Sequence, residues 1–341
     1  MSAIGLPFNP LRDRLYSRQE LFEGLAKNDP KSYSRCADIA ILSYFAKYGR
    51  GSPGDVRSAA AMESLHDNSI SMATNEYLRS QKKVVAVMGG HGLVRKTGAY
   101  AGVAYLSYKL SRLEFLVASG GGPGAMEATH LGAFLSRKSE ASLKEAILRL
   151  GDKAELPKNI GALVRDDGSI DEDIAAQTHA WLIPAIEICD DVTPGEAGRS
   201  LGVPTWLYGF EPTSPFATDI AKYFQNSLRE DGLVTLATHG IIYAEGSAGT
   251  VQEIFQDATQ NYYGDFCPMV FLSAPAAAGS HYWEKTLPVR PLIEALLGKK
   301  PGFKKVLFTD SLEQTIEFLA AAPSGRMTGY GRGIFANTSA L

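Results

Sequence analysis

Apolar residues in this chain gather into short runs closed by glycine, separated by stretches with helical spacing. The first run is Val84-Val85-Ala86-Val87-Met88, followed by Gly89-Gly90. Short apolar runs bounded by turn residues fit strands buried on both faces of a parallel sheet. A helix over residues 97–113 follows, then a strand over 114–118, then Ser119-Gly120-Gly121-Gly122-Pro123-Gly124 and a helix from Ala125. The alternation resumes with a strand over 203–208, a helix over 217–230 and a strand over 240–244 that runs into Glu245-Gly246-Ser247-Ala248-Gly249-Thr250. Residues 234–237 read either as a short strand or as the end of a helical turn. Beyond them the pattern predicts a helix over 251–262, a strand over 268–272, a helix through 282–297, a strand over 305–309 and a helix over 311–321. Strand–helix alternation of this kind predicts an α/β fold, Rossmann-like and doubly wound, with a mainly parallel sheet and helices on both faces.

Residues 1–80 lack the alternation and read as a helical N-terminal segment, a helical attachment or a dimerisation element. Residues 32–48 place apolar side chains at helical spacing, and residues 55–80 are polar and rich in alanine and serine, as in an exposed helix or arm. Residues 81–322 form the expected nucleotide-binding domain, with a helical insertion over 136–200 and a tail over 323–341. Within the insertion, residues 142–150 are helical, Asp171-Glu172-Asp173 opens another helix, and Pro184 and Pro194-Gly195 punctuate it. The acidic triplet suits a solvated helix start better than a metal site.

Composition narrows the function classes. A 341-residue chain with 45% hydrophobic residues is long enough to bury a sizeable core. A formal net charge of -3 and the lack of a Lys/Arg block give no general attraction to nucleic acid. Cys36, Cys189 and Cys267 are odd in number and far apart, which fits neither a metal spacing nor a disulfide framework. With no apolar leader at the N-terminus and no apolar run near membrane-spanning length, the expectation is a cytoplasmic protein without a membrane partner.

Two glycine-rich loops carry the candidate chemistry: Gly120-Gly121-Gly122-Pro123-Gly124-Ala125-Met126-Glu127, and Gly246-Ser247-Ala248-Gly249-Thr250-Val251-Gln252-Glu253. Each follows a strand and opens a helix. Glycine lets backbone approach a ligand closely, and the first amides of a helix favour an anion such as phosphate. Neither loop is a dinucleotide fingerprint or a P-loop. A nicotinamide-dependent dehydrogenase is therefore disfavoured.

Taken together, the loops resemble the Lonely Guy (lysine decarboxylase-like) superfamily, whose members carry a GGG-x-x-G-x-M loop and a PGG-x-GT-x-x-E loop in this order. Gly89-Gly90-His91, the run GPGAMEA, Glu211-Pro212-x-x-Pro215 and HGIIYA over 239–244 are similar to bacterial pyrimidine/purine nucleotide 5'-monophosphate nucleosidases. The likeness spans roughly residues 83–320, leaving out the insertion. It implies a nucleoside 5'-monophosphate phosphoribohydrolase that needs no cofactor or metal and acts as a homodimer. Gly246, Ser247, Gly249 and Thr250 would hold the 5'-phosphate, Glu253 would be the catalytic glutamate and Arg229 its partner near the ribose or base. Gly121, Gly122 and Gly124 would admit the nucleotide, with Gly90 and His91 lining the same crevice. A carboxylate and an arginine suit glycosidic hydrolysis, in which positive charge builds on the ribose as the base leaves.

Plainer roles compete for the same residues. Thr250-Val251-Gln252-Glu253 is also a capping-box pattern, Arg229 could end a solvated helix beside Glu230, and His91 could serve only its turn. A non-catalytic nucleotide-binding or sensing protein would then result. Glu245 stands where the family has proline and Ser247 where it has glycine. A carboxylate facing the phosphate would repel it by a few kcal/mol in a partly buried site.

Overall fold

The computed structural model describes residues 5–81, 83–209, 211–273 and 281–322. The expected tail at 323–341 lies outside them. Among the described residues, seven strands form one all-parallel sheet: β1 (Val84–Met88), β2 (Leu116–Ser119), β3 (Ser200–Gly202), β4 (Asp219–Ile220), β5 (Gly240–Tyr243), β6 (Met269–Leu272) and β7 (Val306–Thr309). Their order is β4-β3-β2-β1-β5-β6-β7. The direction of winding reverses between β1 and β5, the position where doubly wound sheets open a ligand crevice.

The helices are α1 (Arg18–Leu21), α2 (Ala37–Tyr48), α3 (Arg57–Leu78), α4 (Gly98–Arg112), α5 (Ala125–Phe134), α6 (Glu140–Gly151), α7 (Glu172–Asp190), α8 (Asn226–Thr235), α9 (Ala248–Tyr263), α10 (Arg290–Leu297) and α11 (Leu312–Ala321). Side chains alternate across the central strands. Val84, Ala86 and Met88 of β1 face a core shared with α2, α3, α8, α9 and α10. Val85 and Val87 face the opposite core, built with α4, α5, α6 and α11. A third core joins the N-terminal segment to the insertion, with Tyr33, Cys36 and Ile39 packed among Ile174, Trp181 and Leu182. No helix among the described residues is long and apolar enough to cross a membrane.

Several expectations need correction. Residues 203–208 are not a strand; β3 precedes them, and its neighbour β4 begins where a helix was expected over 217–230. That helix starts only at Asn226, and residues 234–237 include its end. The apolar spacing of Ile220, Tyr223 and Phe224 imitates a helix, but the backbone there is claimed from both sides. Ala221 N bonds Gly202 O, while Ile220 exchanges hydrogen bonds with Tyr16 from the N-terminal segment. The expected helix over 282–297 divides into a π turn at Tyr282–Thr286 and α10.

Helix α3 is not a solvated arm. It buries Ala59, Glu63, His66, Ile70 and Ala73, a stripe at helical spacing hidden in the sequence because all but Ile70 are polar or small. In the insertion, Asp171 caps α7 by accepting from Ile174 N at 3.2 Å, as the acidic helix start suggested. Pro184 does not break that helix. Its cost of ~3 kcal/mol is outweighed by burial of Trp181, Leu182 and Ile186.

Candidate functional site

A cavity of about 280 Å³ opens at the carboxyl ends of β1 and β5. Gly90 and His91 line it from the turn after β1, and Ser247, Gly249 and Thr250 from the turn after β5. Glu253 enters from α9 and Arg229 from α8. The structure thus brings together seven of the residues singled out above. Gly121, Gly122, Gly124 and Gly246 stand behind the lining and close the loops on one another. Gly124 has φ +72°, and a β-carbon there would come within 2.5 Å of Gly90 O. A β-carbon on Gly246 would collide with Thr250 Oγ1. Gly120, named in the first loop but given no role there, also lines the cavity, and a β-carbon on it would collide with Arg229 Nη2.

Arg229 is aimed by its own backbone anchor. Its Nε donates to Val203 O at 2.9 Å, and its Nη1 lies 3.7 Å from Glu253 Oε1. The guanidinium is buried, so it is not a solvated helix end. Glu253 does not cap its helix either. Ser247 is the N-cap of α9, Thr250 already lies inside the first turn, and Glu253 is one turn further on. Glu253 is buried, and that burial pushes its carboxyl up to about 7; Arg229 pulls it down, while Glu230 and Glu211 push it further up.

The turn itself suits an anion. The first intrahelical hydrogen bond of α9 runs from Val251 N to Ser247 O, so the amides of Ala248, Gly249 and Thr250 precede the helical ladder. Tyr282 donates from its hydroxyl to Gly246 O at 2.5 Å, and Trp283 Nε1 donates to Tyr243 O at 3.0 Å, fixing the loop from below. Glu245 does not line this cavity. It borders a separate small apolar hollow with Leu93, Ala99 and Leu312.

Two further glutamates line the cavity. Glu230 is tied on both oxygens, accepting from Asn226 Nδ2 at 2.6 Å and Gln252 Nε2 at 2.7 Å. Glu211 is largely buried, with Oε1 3.7 Å from His91 Nδ1. Burial pushes its carboxyl up, against the opposing pull of Arg229, His91 and Lys222. In the sequence Glu211 belongs only to a Glu-Pro pair in the resemblance. Its placement depends on Thr213 and Trp206, whose Oγ1 and Nε1 both donate to Asp38 of α2 at 2.8 Å. No local pattern signals that long-range tie.

The other clusters of the sequence reading are structural. Glu127 is fully buried against Arg95 (2.6 and 2.8 Å) and Tyr100 (2.9 Å), and Arg95 stacks 3.7 Å from the Trp181 ring. The three cysteines are buried and form no disulfide with one another.

No family model matches the chain, and no curated protein does. Among solved structures it is similar to the molybdenum cofactor binding protein from the phototrophic bacterium Rippkaea orientalis. The two share 15% identity over 70% of this chain and 96% of the other, with a TM-score of 0.39.

Proposed function

We propose that the protein hydrolyses the N-glycosidic bond of nucleoside 5'-monophosphates, releasing free base and ribose 5-phosphate. One observation carries the reading: a carboxylate and an arginine, Glu253 and Arg229, are buried together in the cavity that the first amides of α9 also enter. A phosphate on those amides leaves the ribose within reach of Glu253, whose carboxylate stabilises developing oxocarbenium charge and orients water. Arg229 anchors the phosphate or stabilises negative charge on the departing base. At about 280 Å³ the cavity sits near the lower end of small-molecule sites. That size suits a nucleoside monophosphate better than a dinucleotide. The Lonely Guy likeness of the two loops points the same way, homodimer included.

The test is base release from a panel of purine and pyrimidine nucleoside monophosphates, resolved by chromatography, with Glu253→Gln as control. Release by the wild type and its loss in a folded variant supports the hydrolase. Nucleotide-dependent thermal stabilisation without release from any member would leave a nucleotide-binding protein instead.

A further inference from the structure

We propose that Glu211 is the general acid of this site, protonating the leaving base while Glu253 serves the ribose and the attacking water. This rests on the hydrolase reading and divides its chemistry between two carboxyls. They enter the cavity from opposite halves of the sheet: Glu253 from α9, which follows β5, and Glu211 from the connection between β3 and β4. Arg229 acts on both. A single carboxyl cannot serve both the sugar and a ring nitrogen of the base as the two separate, so a second group on the other wall is what the reaction requires.

Glu230, the third glutamate, is unsuited to the role. Both its oxygens accept amide hydrogen bonds, from Asn226 and Gln252, which hold the carboxylate against α8 and α9. Glu211 has the reverse setting. Its side chain is 13% exposed, in surroundings that disfavour charge, with His91 Nδ1 3.7 Å from its Oε1. The His91 side chain is 52% exposed and links the buried carboxyl to solvent.

The step balances without another reactant. As the C1'–N bond breaks, its electron pair goes to the base nitrogen, and the Glu211 proton goes to a ring nitrogen of the base. Water oxygen bonds to C1', and the proton it loses goes to Glu253. Solvent then takes the proton from Glu253 and returns one to Glu211.

The experiment compares pH–rate profiles for nucleoside monophosphate hydrolysis by the wild type, Glu211→Gln and Glu211→Asp, with melting temperatures taken alongside. The reacting form carries one proton on the pair, on Glu211 and not on Glu253, so the wild-type rate falls on the alkaline side as that proton is lost. Glu211→Gln is expected to lose about 100-fold or more in kcat with KM changed only a few-fold, and to lose the alkaline fall. Glu211→Asp, the more conservative change, is expected to keep the fall at a lower pH. A Glu211→Gln enzyme with wild-type kcat, or with its alkaline fall intact, would overturn the assignment and leave the hydrolase standing. An alkaline fall at the wild-type pH in Glu211→Asp would also overturn it. Absence of base release by the wild type would remove the hydrolase reading and the Glu211 role with it.

Discussion

Glu253 is subject to opposed demands on activity and stability. Its carboxyl is raised from the ordinary 4.5 to about 7, chiefly by burial. A folded-state value above the unfolded one means that the neutral form stabilises the fold. That contribution is complete below pH 4.5 and is lost as the pH rises through 7. Over this window Glu253 should remove on the order of 3 kcal/mol of stability. Glu253→Gln should flatten that part of the profile while lowering base release by about 100-fold or more. Urea unfolding at pH 5 and pH 8 measures the first effect. A variant with the same pH dependence of stability as the wild type would show that Glu253 titrates elsewhere. A plainer local cost sits at Glu114, just past the end of α4. It is the one described non-glycine residue with positive φ (64°), at a helix terminus that glycine usually occupies. Glu114→Gly is expected to stabilise the protein by about 0.5–1 kcal/mol, read from the urea midpoint; a lower midpoint would sink the strain argument.

Among the elements, α3 and α8 depend on each other, and sequence alone revealed neither the stripe of the first nor the start of the second. Asp67 on α3 accepts from Phe224 N and Gln225 N, each at 2.9 Å, just before α8 begins. A carboxylate from 157 residues away thus does what a local N-cap does elsewhere. His66 beside it bonds Tyr16, and the buried face of α3 reads as polar because hydrogen bonds satisfy several of its members among the apolar ones. The central strands were legible because each is an apolar run buried on two faces, and the loops after β2 and β5 because glycine at a close approach leaves a visible mark. β4 was not, since two residues held between β3 and Tyr16 carry no period of their own. Arg229 rides on α8, so Asp67→Ala should cost about 2–3 kcal/mol in unfolding free energy. It should also weaken nucleoside monophosphate binding. Calorimetry that finds unchanged affinity in the variant would show that Arg229 is positioned by Val203 alone.

The whole molecule decides whether the first 80 residues are an attachment or part of the fold. Phe8, Tyr16, Leu21, Ile41, Tyr44, Ile70 and Leu78 belong to the same core as Val84, Met88 and Tyr243 of the central strands. At about 1.5–3 kcal/mol for each large side chain, their loss would remove ~10 kcal/mol or more. That is comparable with the entire stability of an ordinary domain. Polar ties run the same way: Lys222 Nζ donates to Asp38 Oδ1 at 2.7 Å, with both residues buried, so removing α2 would leave an ammonium without its carboxylate beside the Glu211 segment. A chain beginning at residue 81 is therefore expected to keep helical circular dichroism, bind a hydrophobic dye and lose its cooperative melt and nucleotide binding. A sharp thermal transition in that fragment, with nucleotide still raising it, would mean that the sheet and its crevice stand alone and that α2 and α3 only cover a face it can leave open to water.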